Sequence, residues 1–270
     1  MSTKRTTTTP TPAADAAAPP LRLTVFGTGY LGATHAVAMA ELGFDVIGVD
    51  VDQAKVDALA AGKVPFFEPG LPELLEKNLQ TGRLRFTTDA ASAVAGADVH
   101  FVCVGTPQQR TSHAANLAFV EAATSVIAQN LTQDAVIVGK STVPVGTAAR
   151  LRELVAGLVP AGVRAELIWN PEFLREGKAV DDTLHPDRIV LGGASAEAEA
   201  VMRAVYAGPI AEGSPVVVTD LPTAELVKVS ANAFLATKIS FINAIAGVCE
   251  ERVGADLDEL GGRQVRHDDR

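Results

Sequence analysis

Leu21-Arg22-Leu23-Thr24-Val25-Phe26-Gly27-Thr28-Gly29-Tyr30-Leu31-Gly32 is the stretch that decides the fold. A short apolar run, Leu21 to Phe26, ends at a glycine. Tyr30 to Leu42, rich in Ala, Met and Leu at helical spacing, follows and stops at Gly43. A second apolar run, Phe44 to Val49, ends at Asp50, 18 residues after Gly32. A G-x-G-x-x-G turn is weak evidence by itself. Strand, turn, helix, strand and terminal acid together are the context in which it holds a dinucleotide. Gly27 makes the tight turn, Gly29 lets a pyrophosphate approach the backbone, and Gly32 lets helix and strand pack closely. The helix N-terminus, with the first-turn residues Tyr30 and Leu31, then faces the phosphates. Asp50 is placed to accept hydrogen bonds from the adenosine ribose. A carboxylate there repels a 2′-phosphate, so NAD is favoured over NADP, with Lys55 close enough to soften the preference. The competing reading is a glycine turn that only packs.

Outward from that turn, apolar runs alternate with helical segments. Strands are expected at Leu84 to Thr87, Val99 to Val104, Ala135 to Gly139, Glu166 to Trp169, Arg188 to Leu191 and Val216 to Thr219. Helices are expected at Asp52 to Ala61, Pro72 to Gln80, Asn116 to Asn130 and Ala196 to Tyr206. Such alternation implies parallel strands joined by crossovers. Thr223 to Val253 lacks proline and holds one glycine, Gly247, so it reads as one long helix. Its small residues, Ala231, Ala233, Ala236, Ser240 and Ala244, suit close helix packing, as a strut between domains or as a dimer helix. The fold class is therefore α/β: a Rossmann-type doubly wound parallel sheet followed by a long central helix. The expected division is a disordered tail over 1–20, a cofactor domain over 21–220, the central helix over 221–258 and an irregular tail over 259–270.

Composition narrows the function. The 270 residues are 47% hydrophobic but only 5% aromatic, so the core is built from Ala, Val, Leu and Ile, as buried parallel strands require. A net charge of -9 argues against a nucleic-acid surface. It does not exclude an anionic ligand, since helix N-termini bind phosphate without net positive charge. Two cysteines form no disulfide framework, which points to a reduced, cytoplasmic setting. No uninterrupted apolar run reaches membrane-spanning length, so no membrane segment is expected. No metal is expected.

Three segments carry candidate chemistry. Gly105-Thr106-Pro107 and Lys140-Ser141-Thr142 each follow a strand, at the edge where ligands of open sheets bind; ordinary turn chemistry is the alternative. Asn170-Pro171-Glu172 follows Trp169, and Pro171 stops the ladder and throws Glu172 out at the same edge. Glu176 lies four residues on, which places it one turn away on a helix. Two carboxylates near a pyrophosphate suggest proton work, against a reading as favourable charge at a helix start. Lys228 and Asn232 are an i, i+4 pair on the long helix. Lys228 sits among apolar neighbours, and the residues alone favour a snorkelling lysine over a working one.

These motifs, with F-E-P-G-L at 67–71, K-S-T-V-P-V-G-T at 140–147, N-P-E-F-L-R-E-G at 170–177, P-D-R-I-V at 186–190 and K-V-S-A-N-A-F-L-A at 228–236, resemble the UDP-glucose/GDP-mannose dehydrogenase family from about Leu21 to Asp258. The resemblance implies two successive NAD-dependent oxidations of a sugar-nucleotide C6 alcohol to the acid, UDP-glucose being the nearest substrate. It implies that Thr142 and Glu172 position a water and handle protons, and that Lys228 and Asn232 stabilise an oxyanion. Phe173, Leu174 and Glu176 would border the sugar nucleotide, and Gly105, Thr106 and Thr142 the nicotinamide. A homodimer is implied. The family's second step uses a cysteine in a G-G-S-C-F-P-K-D-like segment after the long helix; none occurs here, so the chain is expected to be truncated before it and inactive as given. A non-catalytic NAD-binding module, a dehydrogenase for GDP-mannose or UDP-N-acetylmannosamine, and a hydroxyacid-type dehydrogenase are the alternatives.

Overall fold

In a computed structural model, residues 21–112 and 114–253 are described. The expected tails at 1–20 and 259–270, and the last residues of the expected central helix, lie outside them. One eight-stranded sheet organises the chain, in the order β3-β2-β1-β4-β5-β6-β7-β8. The strands are β1 (Arg22–Phe26), β2 (Asp45–Val49), β3 (Leu84–Thr87), β4 (Val99–Val102), β5 (Ala135–Gly139), β6 (Ala165–Trp169), β7 (Ile189–Gly192) and β8 (Val216–Thr219). β4 and β5 are buried along their whole length, as central parallel strands covered on both faces must be. The helices are α1 (Tyr30–Glu41), α2 (Gln53–Ala60), α3 (Leu71–Gln80), α4 (Ala90–Val94), α5 (Ala118–Asn130), α6 (Thr147–Leu158), α7 (Ala179–Leu184), α8 (Ala196–Val205), α9 (Ala207–Ala211) and α10 (Leu221–Val253).

The core lies in two layers, one on each sheet face. One holds Leu23, Val25, Met39, Leu75 and Phe101, packed around α1. The other holds Phe26, Val102, Ile127, Ile137 and Trp169 under α5 and α6. The strand order reverses between β1 and β4. The carboxyl ends of these two strands therefore open a crevice, the usual ligand position in such sheets.

The sheet departs from the all-parallel expectation at its far end. β6 pairs with β7 antiparallel, through Trp169 and Gly192. Trp169 and Gly192 are each the last residue of their strand, so β7 meets β6 only at the carboxyl edge, after a connection whose one helix, α7, has six residues. β8 then joins β7 in parallel. This offset brings the start of α10 to the carboxyl end of β6, where Gly192 leaves no room for a side chain against Ala224.

The first turns of α10 dock on the domain: Leu221, Ala224, Glu225 and Lys228 are buried. Glu225 fixes the docking by accepting the amides of Gly146 and Ala148, both at 2.6 Å, at the start of α6. Beyond it, Phe234, Leu235, Ile239, Phe241, Ile242, Ile245 and Val248 are exposed. The uninterrupted-run criterion passed over this helix. By length and mean hydropathy of 1.3, Leu221–Cys249 is apolar enough to cross a membrane.

Candidate active site

The Gly27–Gly32 turn has the geometry its spacing requires. Gly27 has φ +86°, and a Cβ there would stand 2.9 Å from Val104. A Cβ on Gly32 would stand 1.7 Å from the Gly27 carbonyl oxygen. Gly29 differs: a Cβ would meet nothing within 4 Å. The free space at Gly29 belongs to a cavity of about 600 Å³. Gly27, Gly29, Asp50, Lys55, Gly105 and Pro107 help to line it. No side chain caps α1, which leaves its first-turn amides to an outside acceptor. Open space at Gly29, uncapped amides and a carboxylate at the end of β2 together fit a dinucleotide.

Asp50 is buried and heavily bonded. Its Oδ2 accepts the Thr28 amide at 2.8 Å and the Thr28 hydroxyl at 3.0 Å, and its Oδ1 accepts the Asp52 amide at 3.0 Å. Burial pushes its carboxyl up, but the hydrogen bonds from Thr28 and Asp52 outweigh that and hold it below the ordinary aspartate value. The Lys55 ammonium is 3.9 Å from Oδ1. The carboxylate is thus ionised and fixed in orientation before any ligand arrives.

The side chains of Tyr30 and Leu31 are engaged away from the cavity at Gly29. The Tyr30 hydroxyl donates to Glu68 at 2.5 Å, and Leu31 lines a separate small cavity behind Glu172. Thr106 and Thr142 come together, since the Thr106 hydroxyl donates to the Thr142 carbonyl at 2.7 Å. The Ser141 hydroxyl donates to the Val104 carbonyl at 2.6 Å. These bonds join the β4 and β5 loops into one rim.

At the end of β6, Glu172 and Lys228 form an ion pair with Oε1 and Nζ 2.7 Å apart, both side chains largely buried. Lys228 is therefore not snorkelling: α10 lays it across the domain and its head group turns inward. The second Glu172 oxygen accepts the Leu174 amide at 2.6 Å. That bond pulls the chain into an irregular turn, so no helix runs from Glu172 to Glu176. The expected one-turn spacing of these two carboxylates does not hold: Glu176 is exposed, and α7 begins only at Ala179. The Phe173 ring lies 4.6 Å from the Arg188 guanidinium and 5.7 Å from the Lys228 ammonium, distances at which a ring face stabilises a cation. Asn232 is exposed on α10, one turn beyond Lys228.

Three buried polar residues near the site make bonds that sequence reasoning did not assign. Lys140 is 5% exposed, and its ammonium donates to the Asn170 side-chain oxygen at 3.0 Å and main-chain oxygen at 3.3 Å. Tyr206 donates to the same Asn170 side-chain oxygen at 2.7 Å, and the Asn170 amide donates to the Val190 carbonyl at 2.8 Å. Burial lowers the Lys140 pKa. Tyr206 ends a helix 36 residues from Asn170 in sequence, and no local signal connects them. The third, Glu68, sits beside the exposed Phe67 in the loop before α3. Cys103 is buried beneath the cofactor turn, where burial pushes its thiol up to about 12. That thiol is not a nucleophile at neutral pH.

Known proteins share this architecture. The family model for the central domain of the UDP-glucose/GDP-mannose dehydrogenases matches residues 222–268, and that for their NAD binding domain matches residues 21–209. A UDP-glucose 6-dehydrogenase of Rhizobium meliloti is 46% identical over 242 residues, covering 89% of this chain and 55% of the relative. One from Bacillus subtilis is 43% identical, covering 88% of this chain and 51% of the relative. The chain thus spans about half the length of the curated relatives it matches. Among solved structures, a UDP-glucose dehydrogenase from Pyrobaculum islandicum superposes with a TM-score of 0.79 at 40% identity, covering 86% of this chain and 54% of that one. A GDP-mannose dehydrogenase from Pseudomonas aeruginosa superposes with a TM-score of 0.81 at 34% identity, covering 89% of this chain and 56% of that one. The chain belongs to the UDP-glucose/GDP-mannose dehydrogenase family.

Proposed function

We propose that these residues form the NAD-binding and proton-handling part of a UDP-glucose 6-dehydrogenase, which oxidises the sugar C6 alcohol to the acid. The observation that carries this reading is the 2.7 Å pair of Glu172 and Lys228 at the carboxyl edge of the sheet. NAD, when bound, accepts the hydride. Gly27, Gly29 and Gly32, with the amides of Tyr30 and Leu31, hold the pyrophosphate, and Asp50 holds the adenosine ribose with Lys55 beside it. The joined rim of Gly105, Thr106 and Thr142 borders the nicotinamide.

Around the substrate, Lys228 places positive charge where oxygen becomes negative as C6 is oxidised, and Asn232 adds a hydrogen bond. Glu172, already engaged with Lys228, and Thr142 orient a water and move its proton. Phe173, Leu174 and Glu176 border the sugar nucleotide. Neither cysteine supplies a nucleophile here: Cys103 is buried, and Cys249 lies 21 residues along α10 from Lys228, roughly 31 Å along a helix. A polypeptide of residues 1–270 is therefore expected to bind NAD without completing the second oxidation. The chain's 46% and 43% identity to UDP-glucose 6-dehydrogenases supports this substrate. The superposition on a GDP-mannose dehydrogenase keeps that sugar nucleotide as the second reading. We further propose a homodimer formed through α10 in a cytoplasmic setting, supported by the exposed apolar residues of that helix and by the two unpaired cysteines.

The test is incubation of the purified chain with NAD and UDP-glucose, following NADH and products by mass. NAD binding without UDP-glucuronate supports the assignment. Two NADH and one UDP-glucuronate per sugar would mean that another residue acts as nucleophile. Absence of NAD binding would remove the reading altogether.

A further inference from the structure

The loop before α3 reverses the usual order of burial. Phe67 is 85% exposed, while its neighbour Glu68 is 2% exposed. A buried carboxylate loses several kcal/mol of hydration unless hydrogen bonds replace it. Among the described residues no lysine, arginine or histidine is ion-paired with Glu68. Its partners are neutral donors from two separate parts of the site. Oε2 accepts the Tyr30 hydroxyl at 2.5 Å and the Gly177 amide at 3.0 Å, and Oε1 accepts the Val180 amide at 3.4 Å. The Gly177 amide is also 3.3 Å from the Tyr30 oxygen. Tyr30 is the first residue of α1, directly after Gly29, and its ring packs on Phe66 with centroids 5.0 Å apart. Gly177 closes the irregular segment that starts at Glu172, with φ +80°.

We propose that Glu68 is a positioning residue that couples the cofactor turn to the segment from Glu172 to Val180. NAD bound at the N-terminus of α1 holds Tyr30 in place, Tyr30 holds Glu68, and Glu68 holds the loop that borders the sugar. The coupling rests on the NAD reading above and extends it. By reciprocity, whatever factor NAD contributes to ordering the loop, loop order contributes to NAD affinity. A glutamine cannot replace Glu68, because three donors face it and a carboxamide brings two more hydrogens.

The experiment is hydrogen exchange by mass spectrometry on the full chain, with and without saturating NAD, beside calorimetry of NAD. In the unsubstituted chain NAD should slow exchange across 173–182 by about tenfold. Glu68→Gln should raise exchange there and abolish the NAD-dependent slowing, while weakening NAD by no more than that factor. Tyr30→Phe keeps the Gly177 and Val180 bonds but cuts the link to α1. It should retain protection without NAD and lose the slowing with it. This variant decides the matter if Glu68→Gln also loses protection in β4 and β5 and so fails to fold. NAD binding with no change across 173–182, or slowing that persists in Tyr30→Phe, overturns the coupling. A chain that does not bind NAD by calorimetry overturns the functional reading and the coupling together.

Discussion

Lys228 shows how a single residue changes meaning when its surroundings are known. In sequence it is a lysine among apolar neighbours. In space its ammonium meets Glu172 in a largely buried pair. Removing one partner from such a pair leaves an uncompensated buried charge, whereas removing both does not. Lys228→Met should lower stability by about 3 kcal/mol. The double variant with Glu172→Gln should recover most of that, in a urea-unfolding cycle. Asn232, exposed one turn on, should accept alanine at a cost within about 0.5 kcal/mol. The buried histidines give a second residue-scale test. Burial lowers His100 to about 3 and lowers His35 well below the ordinary value. The folded state therefore refuses protons that the unfolded chain accepts below about 6.5. Their contribution is fully present above pH 6.5 and falls as pH drops toward 3, by about 1.4 kcal/mol per pH unit for each histidine. Urea unfolding at pH 7, 6 and 5 should show that slope, and His100→Gln should reduce it.

Among the elements, α10 divides into a docked start and an exposed remainder. Glu225 and Lys228 anchor it, whereas Phe234, Phe241 and Ile242 are more than half exposed. Exposed apolar area on this scale drives association. Light scattering at tens of micromolar should show dimers or larger species, and Phe241→Glu with Ile242→Lys should shift the chain toward monomer without moving the thermal transition of the domain. The length of α10 was legible because the 31 residues from Thr223 to Val253, without proline and with one glycine, permit little else. So was β1-turn-α1, where Gly27 and Gly32 answer local steric demands. Less legible was α6 (Thr147–Leu158): sequence reading assigned no helix between Gly139 and Glu166, since the K-S-T-V-P-V-G-T run reads as loop and hid the N-terminus at Gly146. The reversal of β7 also escaped, because strand direction follows the path of the connection and is not written in the strand's own residues. The trio Lys140–Asn170–Tyr206 lay beyond reach for a similar reason, being assembled by the fold from separate parts of the chain.

At the scale of the molecule, an acidic chain with a net charge of -9 is arranged to hold an anionic cofactor. On the proposed function it does so with backbone amides at α1 and shaped space at Gly29, not with a basic surface. On the same proposed function Asp50 then selects among such cofactors, its ionised, pre-oriented carboxylate being placed to accept ribose hydroxyls and to oppose a phosphate. Asp50→Ala should weaken NAD by about tenfold, the scale of one charged hydrogen bond lost, and bring NAD and NADP closer in affinity. The most direct measurement of the central claim is calorimetric titration of the unsubstituted chain with NAD and, separately, with NADP. One site per chain, with NAD bound at least tenfold more tightly than NADP, is the predicted result. Equal affinity for the two, or no saturable binding of either, would contradict it.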